Sequence, residues 1–407
     1  MTDRKWTIVA AIILVVIGVA ASGAAMRVLL GHAQDHLIGD EGPYAGIARS
    51  LAAGEGYTRH GVPTTMRAPG MVLYLVLPHL LGEPPVPLLR WYAALPIVLL
   101  SLVAFLIWRR VGFPVRRSFV LALPFALYPM TLANSGLVIS EALLPIVLLP
   151  WIALVLTEPH DSTWTVVLAG ILGGIAVLTR LPLIPAALVF PPIYMLVRAR
   201  KDTRRRKKLA LRRAAVYVAL VILVFLPWPI RNYCAFGELV LTTNKAGVDL
   251  WKSNNPDATG VTFIDHGETF APHEETIKHL PEIEMGQAAR REAVKFIREN
   301  PGRFATLAAI RQAEYWKPFS RRGNFFVNAA AGGPYLLLIL AFGYFLATSR
   351  RRPGTASVLW GTVALAILVA APFLAYPALV RYRLPVDIAM LWTVLFVLGT
   401  AGFPRRK

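Results

Sequence analysis

The chain has 407 residues, 56% of them hydrophobic and only 16% charged. Soluble domains carry about 25% charged residues and lack recurring apolar runs of about twenty, so a soluble protein is excluded and a polytopic membrane protein expected. The formal charge of +20 raises nucleic acid as a partner, but membrane topology accounts for it. The single cysteine, Cys234, forms no intramolecular disulfide and says little about redox compartment.

In chain order, apolar spans are expected at about 7–30, 86–108, 116–132, 137–157, 164–179, 181–198, 212–230, 333–348, 355–376 and 384–402. The opening "MTDRKW", with an apolar run and "AASGAAM", resembles a signal peptide. Its apolar stretch is longer than a signal core, and a retained first helix is the reading taken. The spans at 164–179 and 181–198 are separated at "TRLP", where proline breaks a helix. The expected architecture is all-α, with about ten transmembrane helices and outer loops carrying short interfacial helices.

With the N-terminus cytoplasmic, the inner loops hold Arg4/Lys5, Arg109/Arg110/Arg116/Arg117, "RARKDTRRRKKLALRR", Arg350 to Arg352 and Arg405 to Lys407. These are 22 of the 43 basic residues, against 4 of the 23 acidic ones, as the positive-inside rule requires. The basic block at 198–213 is expected against anionic inner-leaflet lipid. Both termini then face the cytoplasm, and a bacterial inner membrane suits this distribution. Three parts are expected: a transmembrane module over 1–230 with a first outer loop at 31–85, an outer region over 231–332, and C-terminal spans over 333–407. Most acids lie in the two outer segments, so chemistry is expected there.

The first outer loop opens "GDEGPYAGIARSLAAGEGY". Tyr44, Ile47, Ala48 and Leu51 form one helical face, and Gly54 closes it. Asp40 stands where a helix cap belongs; the sharper reading is a general base at the membrane–water boundary. Arg67 precedes "APG" and a short apolar segment with Pro78 inside, expected as a re-entrant or interfacial helix. Arg67 is either a snorkelling side chain or a phosphate ligand.

Further along, "SGLVISEALLP" puts Glu141 about one turn inside a span, where an acid is functional or paired, and Glu141 is a candidate sugar or acceptor contact. Arg180 at the outer end of another span is its candidate partner, or a lipid anchor. "PWPIRNY" presents Arg231 and Asn232, and "YPALVRYRLPVD" presents Arg381, Tyr382 and Arg383. Together these arginines suit an anionic group at the outer leaflet. "TTNKAGVDLWKSNNPDATG" is a polar turn-forming loop in which Asn244, Trp251 and Asn254 are candidate sugar or acceptor contacts; a plain surface loop is the alternative. "EMGQAARREAVKFIRENPGRFATLAAIRQAEYW" reads as two amphipathic helices split at "NPG", covering the site. The sequence contains no phosphate-binding glycine loop of Walker or Rossmann type, no H-E-x-x-H and no zinc spacing of Cys and His.

In this order the motifs resemble the membrane glycosyltransferases of the GT-C class, in particular the group related to aminoarabinose transferases and protein O-mannosyltransferases. The resemblance runs through "GDEGPYAGIARSLAAGEGY", "MRAPG", "SGLVISEALL", "LTRLPLIP", "PWPIRNYCAFGELVLTTNKAGVDLWKSNNPDATG" and "RYRLPV". It implies an extracytoplasmic enzyme taking a sugar from a polyprenyl-phosphate carrier. Asp40 matches the acid taken as catalytic base, with Glu41 beside it, and Arg67 the basic residue near the donor phosphate, more often lysine in the aminoarabinose group. This chain is short for the class, without the large C-terminal outer domain of many members, so the resemblance implies no acceptor.

The expected reaction is a single inverting displacement, onto a hydroxyl or phosphate of a lipid, glycan or protein. Asp40 takes the acceptor proton, and Glu41 orients it or raises its pKa by like-charge repulsion. Arg67, with Arg180, Arg231, Tyr382 and Arg383, holds the leaving lipid phosphate. No cofactor is required, although a divalent metal could sit at Asp40/Glu41. The competing class, a lipid or glycolipid transporter or flippase, predicts internal repeats and charges at the membrane midplane; no clear repeat is present, and the charges sit mainly at span ends.

Overall fold

A computed structural model describes residues 3–31, 35–157, 162–200, 202–261, 279–318 and 325–401, with backbone alone for 325–331. Glu158, Asp161 and the basic cluster at 405–407 lie outside the described residues, as does much of the loop between 261 and 279. The protein is an all-α polytopic membrane protein whose strand content, among the described residues, is one two-residue hairpin, Thr58–Arg59 (β1) with Val62–Pro63 (β2).

Helices form at all ten expected spans: Asp3–Leu30 (α1), Val86–Val111 (α4), Val115–Leu127 (α5), Ser140–Leu156 (α7), Thr163–Thr179 (α8), Ile184–Ala199 (α9), Arg204–Phe225 (α10), Phe325–Ala347 (α15), Pro353–Ala370 (α16) and Leu384–Thr400 (α17). Between them lie Glu41–Ala52 (α2), Pro69–Leu80 (α3), Pro129–Leu132 (α6), Pro227–Phe236 (α11), Lys245–Ser253 (α12), Glu282–Glu299 (α13) and Pro301–Trp316 (α14). Six segments among the described residues are long and apolar enough to cross a membrane: Asp3–Leu30, Val86–Val111, Leu181–Ala199, Arg204–Phe236, Pro353–Leu374 and Val380–Thr400.

The span expected at 116–132 differs. Pro129 forces Tyr128 into an extended conformation (φ −67°, ψ 119°), ending α5 after 13 residues. That is about 20 Å of helix, short of the roughly 30 Å hydrocarbon core. The break at "TRLP" falls as expected. Arg180 is extended, and a 3₁₀ turn at Leu181–Leu183 leads into α9.

The helices alternate in direction. At one face Arg109 Nη2 donates to Asp3 Oδ2 at 2.6 Å, and Arg117 Nη2 to the carbonyl of Ala401 at 2.9 Å. These contacts gather the start of α1, the end of α4, the start of α5 and the end of α17. At the opposite face lie the ends of α1 and α8 and the starts of α4, α7 and α17. The exposed basic turn of α10 around Arg204 belongs to the first, basic face; Asp40, Glu141, Arg180 and Arg381 belong to the second, the site face.

Close packing fixes this frame. A Cβ at Gly174 of α8 would stand 2.5 Å from Val224 Cβ, so α10 crosses α8 nearly backbone to side chain. Trp108 of α4 and Trp392 of α17 stack with centroids 3.9 Å apart and are fully buried. On the site face, α12, α13 and α14 bury Val248, Trp251, Ala289, Phe296 and Leu307 in a smaller core of their own. The helix break at "NPG" lies between α13 and α14, as the sequence indicates.

Candidate active site

Asp40 occupies the N-cap position of α2 but does not cap it. Its backbone is helical (φ −70°, ψ −13°), and its side chain makes no cap hydrogen bond. The carboxylate turns to two guanidiniums instead: Arg67 Nη2 donates to Oδ1 at 2.7 Å, and Arg381 Nη2 stands 3.5 Å from Oδ2. Asp40 keeps 43% of its side-chain surface exposed, so an incoming group can reach it. Arg67 is nearly covered, with Tyr44 of α2 under its guanidinium at 5.5 Å. Arg67 Nη1 also bonds the Met66 carbonyl, and Tyr57 donates to the Arg67 carbonyl at 3.0 Å, which fixes the arginine from its own backbone.

The site extends from Arg381 to the spans. Arg381 Nε lies 3.3 Å from Glu141 Oε1, and Arg180 Nη1 lies 2.9 Å from the same oxygen. Ser140 donates to the other oxygen at 2.8 Å. Arg180 also packs over the Tyr382 ring at 4.2 Å. Glu141 is therefore paired across helices, as burial of an acid requires, and it is a partner of arginines from the end of α8 and the turn before α17 rather than an exposed sugar contact. The sequence "APG" brings the two halves together. A Cβ at Gly70 would fall 2.6 Å from the Thr179 Cα, so α3 runs against the end of α8 beside Arg180.

Several sequence candidates lie elsewhere. Glu41, expected to assist Asp40 or to share a metal with it, is 1% exposed and faces the core. Its oxygens accept from Arg90 Nη1 at 2.8 Å and Nη2 at 2.9 Å, from the Ile38 amide at 2.7 Å and from the Val138 amide at 3.0 Å. These four bonds engage both oxygens of the carboxylate, and none of them reaches Asp40. Among the described residues, no three His, Cys, Asp or Glu side chains converge as a metal site.

Arg383, expected at the phosphate, is 1% exposed and bonds Asp387 Oδ1 at 2.9 Å and the Lys317 carbonyl at 2.7 Å, with its guanidinium 3.2 Å from the Tyr335 ring centre. It locks α17 to α14 rather than facing the donor side. Arg231 bonds the Thr64 carbonyl at 2.9 Å and the Tyr57 carbonyl, and packs over Tyr57 and Trp228. It ties the β1–β2 hairpin to α11.

The other three proposed sugar contacts, Asn244, Trp251 and Asn254, are structural as well. Asn254 is fully buried; its amide donates to the carbonyls of Leu250 and Ala375, both at 2.8 Å, and its oxygen accepts from Arg311. Trp251 packs in the small core of α12 and α13. Asn244 bonds the Glu282 carbonyl at 2.9 Å, and its own amide donates to Thr65 Oγ1.

Three residues outside the sequence-based candidates belong to the site or its support: Lys245, Glu282 and Arg90. Lys245, the first residue of α12, pairs with Asp249 at 3.1 Å. Burial works against its charged form, but Asp249, Tyr382 and Asp40 outweigh it and hold the ammonium pKa above the usual lysine value, with Arg67 opposing. It is a further cation beside the cluster. Glu282, at the start of α13, accepts from Thr64 Oγ1, the Thr65 amide and Thr65 Oγ1 at 2.6 to 2.8 Å, latching the first loop to the second site-face segment. Arg90 carried a readable signal: an arginine in an otherwise apolar span demands a partner.

No family model matches the chain, and no curated protein sequence matches it. Among solved structures it is similar to crystal structures of ArnT from Cupriavidus metallidurans. In the apo state the identity is 17%, covering 95% of this chain and 76% of that one, with a TM-score of 0.42. Bound to undecaprenyl phosphate, the figures are 17%, 95%, 77% and 0.41. It is also similar to the archaeal oligosaccharyltransferase AglB from Archaeoglobus fulgidus in complex with an inhibitory peptide and a dolichol-phosphate, at 16% identity, covering 99% of this chain and 53% of that one, with a TM-score of 0.49. The chain thus spans about half the length of that oligosaccharyltransferase.

Proposed function

We propose that the protein is an inverting membrane glycosyltransferase that moves a sugar from a polyprenyl-phosphate carrier to a hydroxyl or phosphate acceptor on the extracytoplasmic side. The observation that carries this reading is the partly exposed Asp40 carboxylate held between Arg67 and Arg381, at the face opposite the basic helix ends. By the positive-inside rule that face is the outer one and both termini are cytoplasmic. Nucleotide sugars are not expected there, so a lipid-borne donor is the natural substrate. The sequence resemblance to the GT-C class supports the same assignment.

The acceptor oxygen attacks the anomeric carbon and forms the new glycosidic bond, while its proton passes to Asp40. The bond from the anomeric carbon to the phosphate oxygen breaks, and its electron pair leaves with the lipid phosphate. Before donor binds, both guanidiniums lie on Asp40. A phosphate competes for the same guanidiniums. Glu141 and Arg180 keep Arg381 in place at its other edge, and Lys245 adds positive charge beside the cluster. Glu41 acts at a distance by fixing the loop, not in the chemistry.

The test is release of polyprenyl phosphate by purified protein given a polyprenyl-phosphate sugar and an extract of envelope acceptors, with the sugar followed by mass spectrometry. Release coupled to a new glycoside supports the reading. Movement of intact donor across a vesicle membrane, with no bond broken, would establish a transporter instead.

A further inference from the structure

A second feature adjoins Arg90. A cavity of about 620 Å³ opens between the last twelve residues of α1 and the start of α4, with Gly23, Ala24, Arg27, Pro87, Arg90 and Trp91 in its lining. Its volume falls within the roughly 300–1,000 Å³ usual for ligand sites. The segment from Val19 to Leu30 covers about 18 Å along the helix axis, close to one leaflet of a hydrocarbon core roughly 30 Å thick.

Local sequence explains the gap. Gly18 lets α1 lie directly on the Val98 carbonyl of α4, so the two helices meet there. Toward the site face, Gly23 and Ala24 supply almost no side chain to fill the space. Trp91, 43% exposed, lies across Gly23 with its ring edge at the position a Cβ would contact at 3.3 Å. Pro87, the second residue of α4, has no amide N–H to offer the cavity. Val19, Ala20, Val28 and Leu30 make part of the lining apolar, Arg90 and the exposed Arg27 make part of it polar, and Arg27 stands in the last turn of α1. A snorkelling arginine alone needs no cavity; here the guanidinium stands at a gap one leaflet deep.

We propose that this groove binds a glycerophospholipid with an anionic headgroup, its phosphate against Arg27 and its acyl chains between α1 and α4. The apolar part of the lining, about one leaflet deep, fits acyl chains, and the basic rim at Arg27 fits an anionic headgroup. The proposal does not rest on the glycosyl-transfer reading. Its back wall is Arg90, whose guanidinium bonds the His36 carbonyl at 2.6 Å and Glu41 at 2.8 and 2.9 Å. Lipid in the groove therefore supports the loop that ends in Asp40.

The test uses the full chain purified from detergent containing equal phosphatidylglycerol and phosphatidylcholine, read by native mass spectrometry and by thermal unfolding after addition of each lipid. The wild type is expected to retain phosphatidylglycerol several-fold over phosphatidylcholine and to gain a few degrees from it alone. Arg27→Gln is expected to lose the preference, Arg27→Lys to keep most of it, and Ala24→Phe to lose bound lipid of either kind by filling the groove. Equal retention of the two lipids by the wild type, or an undiminished preference in a folded Arg27→Gln protein, means annular lipid only and overturns the proposal.

Discussion

Arg67 Nη2 lies 2.7 Å from Asp40 Oδ1, although 27 residues separate them in sequence. The contact closes the first site-face loop on itself, joining the start of α2 to the turn before α3. It places one acid and one guanidinium where both can meet the same substrate. Arg381, from the other end of the chain, approaches the second oxygen of that carboxylate.

Arg67→Ala should lower kcat by about 10²–10³ if the guanidinium stabilises the leaving phosphate, the usual cost of removing one preorganised donor. Arg67→Lys should recover part of this loss, because the charge remains without the planar fork. Steady-state kinetics on a defined donor would measure both. Loss in KM alone, with kcat unchanged, would place Arg67 in ground-state binding only.

Glu41→Ala should be a stability variant. Removing one member of a buried pair leaves Arg90 uncompensated, at a cost of about 3–5 kcal/mol. Thermal unfolding in detergent should show a large drop, while the protein that remains folded keeps kcat within a few-fold. A variant with normal melting and abolished turnover would return Glu41 to the chemistry.

The Arg383–Asp387 pair makes a similar prediction. Arg383→Leu or Asp387→Leu alone should destabilise strongly, and the double variant should recover much of the loss, because no lone charge then stays buried. Comparison of the three melting temperatures checks this. Additive losses would show that the two residues act independently.

His79 gives a pH dependence. It is buried near the end of α3, with Nδ1 3.5 Å from a Glu83 oxygen. Burial pushes its pKa down, with Glu83 raising it and Arg49 lowering it less. The unfolded chain, with a histidine pKa near 6.5, then binds a proton that the folded protein does not. Stability should fall as pH drops below about 6.5 and level off once the folded form is also protonated. Unfolding curves between pH 7.5 and 5 should show this slope, and His79→Phe should flatten it.

Much of the fold was legible because apolar length and charge asymmetry are physical requirements of a bilayer. The ten helical segments, the proline break after Arg180 and the paired helices at "NPG" all follow from them. The fine structure of the site was less legible. Asp40 and Glu41 are adjacent, yet successive helical positions point about 100° apart. One therefore faces the arginines and the other the core, and only the position of Arg90 decides which. "RYR" poses the same problem: Arg381 reaches Asp40 while Arg383, two residues on, is sealed against Asp387. Asn244 and Asn254 read as sugar contacts by composition, but their amides are taken by backbone carbonyls of neighbouring segments. Polar composition shows that a loop needs hydrogen bonds, not who supplies them.

The most direct test of the account is single-turnover release of polyprenyl phosphate by purified Asp40→Asn protein beside the wild type, with matched folding verified by thermal unfolding. The account predicts a rate lower by about 10²–10⁴, the usual contribution of a general base, with donor binding preserved. Wild-type turnover from a folded Asp40→Asn protein would contradict it.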